Sequence, residues 1–127
     1  MIKYLTLLFL LLSGCAYHQI DYPVSQVAMQ QANEIYSNNY KEVTFCIGKV
    51  RGIYNLNIGS LMRTDQAICI NSVSCHTHPA WTLEHFHNWM DERAWDEYTE
   101  KFGNTIFAVM YGKDDIRFYQ RKHCESK

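Results

Sequence analysis

Three observations predict an α+β domain with helices flanking a mostly antiparallel or mixed sheet. Apolar residues recur at helical spacing in two separate stretches, short runs rich in β-branched and aromatic residues lie between and after them, and turn residues mark the joins. No internal repeat or low-complexity segment interrupts this order, and a chain of 127 residues has the length of one domain.

The first element is a helix over 24–38. Val27, Ala28, Gln31, Ala32, Ile35 and Tyr36 recur at helical spacing, Ser25 is available as an N-cap, and Asn38-Asn39 is a stop. The residues before it read as a short tether ending at Tyr22-Pro23, where the proline discourages helix in the preceding residue. Val43 to Val50 reads as a strand, with Arg51-Gly52 as the turn into a second strand over Ile53 to Ile58. After a loop, Gln66 to Cys75 gives another strand, with a pair of histidines at its end. Trp81 to Tyr98 suits a second helix with apolar positions at Phe86, Trp89, Met90, Trp95 and Tyr98, and Gly103-Asn104 terminates it. Thr105 to Tyr111 and Ile116 to Tyr119 complete the domain as an antiparallel hairpin, and Arg121 to Lys127 is a charged tail.

At 47 % apolar and 14 % aromatic residues the chain can bury a core. A domain this small still gains from covalent or metal staples. The formal net charge is −1, so no basic footprint argues for nucleic acid as a partner. At the N-terminus, Lys3 precedes an apolar run from Tyr4 to Leu12 broken only by Thr6, well short of the roughly 20 residues that span a bilayer. Leu12-Ser13-Gly14-Cys15 closes that run, and the whole resembles a bacterial lipoprotein signal peptide.

That resemblance implies cleavage after residue 14, lipidation of Cys15, a lipidated tether over 15–23 and a domain over 24–127. It places the protein in the bacterial cell envelope, facing the periplasm or exterior, with membrane contact through its N-terminal lipid. The mature chain then has 113 residues (127 less 14), and loss of Lys3 leaves 11 basic against 13 acidic side chains. Cys46, Cys69, Cys75 and Cys124 permit two disulfides in an oxidising compartment, in connectivities that spacing does not separate. None of them forms a C-x-x-C pair, which argues against a thiolate metal site.

His76-Thr77-His78-Pro79 carries the clearest chemistry. Two imidazoles one residue apart on extended backbone point to the same side and can grip one metal ion. Asp91 lies downstream as a carboxylate ligand, and His85 and His87 compete with it for the third position. Three protein ligands with one open position make a catalytic type of Zn²⁺ site. Glu42 stands upstream at the head of an apolar strand pattern.

These residues resemble a JAMM (MPN-plus, Mov34-like) zinc metallopeptidase domain, over most of the mature chain. Glu42-Val43-Thr44-Phe45-Cys46-Ile47-Gly48 resembles that family's glutamate at the start of a strand running into a glycine, Cys75-His76-Thr77-His78-Pro79 its metal motif, and Phe102 to Gln120 its closing strands. The resemblance implies a cytidine-deaminase-like mixed sheet flanked by helices, with His76, His78 and Asp91 as zinc ligands and Glu42 as general acid/base. In Asn88-Trp89-Met90-Asp91, Asn88 stands where the family has serine, and its amide can donate a hydrogen bond to a developing oxyanion. The implied activity is hydrolysis of an amide bond in a peptide or protein substrate.

Other readings remain. A non-catalytic metal-binding lipoprotein would hold Zn²⁺ or Cu²⁺ with His76, His78, His85 and His87. A cupin-like barrel fits less well, because Glu84 lies too far along and the glycines expected around its motif are absent. Trp81, Trp89 and Trp95 are most simply packing residues, and Asp96, Glu97 and Glu100 a solvated helix face.

Overall fold

The computed structural model describes residues 17–59, 68–69, 72–79 and 89–122. Within them six strands and two helices form an α+β domain: β1 (Tyr17–Ile20), α1 (Gln26–Asn38), β2 (Val43–Gly48), β3 (Gly52–Ile58), β4 (Val73–Thr77), α2 (Trp89–Phe102), β5 (Ile106–Gly112) and β6 (Asp115–Arg121). The strands make one mixed sheet in the order β1-β6-β5-β4-β2-β3. Only β4 and β5 run parallel, and the segment that joins them carries α2. No helix among the described residues is long and apolar enough to cross a membrane.

Each helix covers its own face of the sheet. Ala32 of α1 sits with Val43, Phe45, Ile47, Cys75 and Met110, whereas Trp95 and Tyr98 of α2 sit with Phe107, Val109, Tyr111 and Tyr119. The alternation follows from the period of two along a strand. Because the central strands are covered on both sides, β2 and β4 are buried almost throughout and read in sequence as continuous rather than alternating runs.

Local sequence explains the element ends. Ser25 caps α1 with its Oγ accepting from Ala28 N–H at 3.1 Å, and Asn39 at the other end donates from Nδ2 to the Ile35 carbonyl at 2.9 Å. Helix α2 stops at Gly103, whose φ of +78° favours glycine and whose N–H returns to the Thr99 carbonyl at 2.8 Å. A Lys113-Asp114 turn joins β5 to β6, with Asp114 at φ +60°.

Three expectations need correction. Residues 17–20, inside the segment read as a tether, form an edge strand registered on β6 from Tyr17↔Arg121 to Ile20↔Phe118. Tyr17 packs edge-on to Trp95 at 5.1 Å and donates to Asp96 at 2.8 Å, so tertiary contacts fix a stretch too short to show a period. Asp96 also lies 3.5 Å from Arg121, so it locks β1 and β6 to α2 and is not part of a solvated helix face. Of the strand expected over Gln66 to Cys75, the described part is Val73 onward, where pairing with Ile47 starts, and it continues to Thr77, while Gln66, Ala67, Ile70 and Asn71 lie outside the described residues. Ile68 and Cys69 lie outside the ladder, and a disulfide joins Cys69 to Cys46. Of the other cysteines, Cys75 is a buried free thiol, while Cys15 and Cys124 lie outside the described residues.

Candidate metal centre

Strand β4 sorts its side chains by face. Cys75 enters the apolar cluster under α1, and Thr77 turns the same way, its Oγ1 accepting from Val43 N–H at 3.1 Å. His76 therefore points to the α2 side, and His78, two residues on, follows it. Both histidines are 3 % exposed. The His78 N–H still donates to the Met110 carbonyl at 2.9 Å, which continues the parallel pairing by one rung before Pro79, which has no N–H to donate.

Helix α2 brings Asp91 over the histidines from its first turn. His76 Nε2 lies 3.1 Å from one carboxylate oxygen and His78 Nε2 lies 3.3 Å from the other. The two Nε2 atoms are 3.1 Å apart. A tetrahedral Zn²⁺ with bonds of about 2.0–2.1 Å holds its ligand atoms about 3.3 Å from one another, so these three donors have the spacing of one face of that tetrahedron. The donor set suits the ion chemically as well, with two imidazoles and one carboxylate against a divalent charge. Among the described residues this is the one group of three such side chains with converging ligand atoms.

Aromatic rings hold the histidines from behind. Trp95, one helical turn beyond Asp91, lies 6.1 Å from the His76 ring and stacks on Phe107 at 5.4 Å. Tyr111 meets His78 edge-on at 5.3 Å, with its hydroxyl 3.0 Å from that of Tyr119. Burial, and then the Tyr119 hydroxyl and the Asp91 charge, push the Tyr111 phenol far above its ordinary range, so it cannot serve as a base near neutral pH. Burial likewise keeps the Cys75 thiol protonated, and its place on the other face removes it as a ligand.

Glu42 immediately precedes β2 and is half-buried. The antiparallel register pairs Thr44 with His76 and Phe45 with Cys75, and beyond it the Val43 N–H donates to the Thr77 side-chain hydroxyl. Glu42 lies two residues before Thr44, just ahead of this ladder. Its carbonyl accepts from Gly59 N–H at 2.9 Å, which fixes the chain where β2 begins.

Family models, curated proteins and solved structures give no match to this chain. Of the residues singled out in the sequence, His76, His78 and Asp91 meet at one point, while Glu42 immediately precedes β2, whose Thr44 pairs with His76. Asn88, His85 and His87, together with Cys15, lie outside the described residues. Sequence reasoning missed two supports of the site, Tyr111 and Tyr36. Tyr36 was legible only as part of the apolar helix face, yet its hydroxyl lies 3.3 Å from the His78 carbonyl and 3.2 Å from that of Tyr111.

Proposed function

We propose that the chain is a zinc-dependent peptidase or isopeptidase with a JAMM-like fold, hydrolysing an amide bond in the cell envelope to which a lipid on Cys15 anchors it. The observation that carries this reading is the convergence of His76, His78 and Asp91 at tetrahedral spacing. Glu42, two residues before the Thr44 that pairs with His76, is the nearby carboxylate assigned the hydrolytic role. Asp91 is the most open of the three, its side chain 16 % exposed, so a substrate would approach from its side.

Zn²⁺ bound there supplies Lewis acidity, polarising the scissile carbonyl and lowering the pKa of an attacking water toward about 7. The residues do the rest. His76 and His78, fixed on a buried strand, set the position of the ion with little rearrangement. Glu42 takes the proton from the attacking water and passes it to the leaving amine. Asn88 is the candidate donor to the developing oxyanion.

Glu42→Gln separates hydrolysis from metal holding. The variant is expected to keep its zinc, because Glu42 is not a proposed ligand, and to lose about 10²–10⁴ in rate on a peptide or isopeptide library. Asp91→Asn is expected to weaken zinc binding itself. A Glu42→Gln protein as active as the wild type would overturn the proton-transfer role. The depth of the histidines, at 3 % exposed, also suits a second reading, a lipoprotein that holds Zn²⁺ or Cu²⁺ without catalysis. That reading predicts tight metal, no hydrolysis by the wild type, and no effect of Glu42→Gln.

A further inference from the structure

The end of β4 poses a local problem. In a parallel pair the rungs continue only while both strands supply N–H and C=O groups in step. After the His78 N–H to Met110 bond, Pro79 has no N–H to give, and β5 shifts register against β6 between Met110 and Gly112. The carbonyls of His78 and Tyr111 thus lie where the regular ladder ends. The Tyr36 hydroxyl, near the last turn of α1, lies within hydrogen-bond reach of both, at 3.3 and 3.2 Å. It reaches them from the face opposite the metal ligands, since α1 packs on the other side of the sheet.

We propose that Tyr36 is a positioning residue for the metal centre: its hydroxyl clasps the ends of β4 and β5 and so sets where the His78 imidazole stands relative to His76 and Asp91. The inference rests on the metal site proposed above. A donor shared between the two carbonyls fixes the backbone of a ligand residue directly, and also the strand that carries Tyr111, whose ring backs the same imidazole. Groups that hold a metal ligand in place without touching the metal commonly alter affinity by about 10–100-fold when removed.

The test measures zinc dissociation constants with a competing chelator, alongside the melting temperature of the metal-free protein. Tyr36→Phe keeps the ring and removes the hydroxyl, and is expected to weaken zinc binding about tenfold with little change in metal-free melting. Cobalt substituted for zinc should show shifted visible bands in this variant, a signature that a purely structural residue would not produce. Tyr36→Leu removes the ring as well and should melt lower while binding zinc no more weakly than Tyr36→Phe. Asn33→Ala is the control on the same helix, because Asn33 ties α1 to Asp114 at 2.7 Å without touching either strand end. It should leave zinc affinity unchanged. Equal zinc affinity in wild type and Tyr36→Phe, or affinity that follows melting temperature across the set, would overturn the role of Tyr36. A wild type that binds no zinc would instead bring down the metal site beneath it.

Discussion

The two faces of β4 solve opposite problems with alternate residues of one short strand. Toward α1, Val73 and Cys75 join a cluster built from Phe45, Ile47, Ala108 and Met110. Toward α2, Ser74 and His76 put polar groups into equally deep burial, at 1 % and 3 % exposed. Apolar burial stabilises by about 25 cal/mol per Å² of surface removed from water, whereas a buried polar group is tolerated only when something satisfies it. One face therefore holds the fold together, and the other depends on the neighbours that meet it, Asp91 above all. A strand covered on both sides can carry ligands because its hidden face anchors it.

The largest expected effect breaks the polar face alone. His76→Ala and His78→Ala should each abolish stoichiometric zinc, since two remaining ligands make an inadequate shell, and elemental analysis of purified protein would check this. Full zinc in both variants would refute the site. Truncation on the apolar face sharpens the contrast. Phe45→Ala should lower the free energy of unfolding by about 3–5 kcal/mol, read from urea melts, while zinc per folded molecule stays the same. Loss of zinc from folded Phe45→Ala protein would mean that the faces are coupled through β2 more tightly than this picture allows.

The smallest of these effects concerns the staple at the side of the sheet. The Cys46–Cys69 bridge spans a sequence separation of 23 residues, and removing both cysteines should cost about 3 kcal/mol by relieving the unfolded chain of its constraint. Denaturation with and without a dithiol reductant would measure it. Cys69 also donates its N–H to Tyr98 at 2.7 Å and accepts from Asn104 at 3.0 Å, so the bridge anchors the far end of the helix that carries Asp91. Zinc affinity in the double variant tells whether that anchorage reaches the ligand.

The parts of this molecule legible in sequence were those encoded locally. Ser25, Gly103 and the turn before β6 announced the ends of their elements through capping and backbone chemistry. His76 and His78 announced a shared face through their spacing, and Asp91 stood downstream as a carboxylate that could join them. The rest is non-local. Strand β1 exists because β6 offers it an edge, and Cys69 leaves the ladder because Cys46 binds it elsewhere. Tyr36 looks like any other residue of an apolar helix face until the ends of two strands are brought beside its hydroxyl.

The register of β1 also decides how the domain would stand on a surface. Tyr17 aligns with Arg121, and the neighbouring Gln120 aligns with Ile106, so the chain enters the sheet level with the start of β5. His78 lies at the other end, beside the Met110 to Tyr111 step of β5. Five residues of strand separate Ile106 from Tyr111, a rise of about 17 Å. Two residues of chain reach no more than about 7 Å, so the lipid proposed on Cys15 would be tethered close to the entry end of the sheet. With that lipid, the metal ligands lie roughly a strand's length from the tethered end of the sheet.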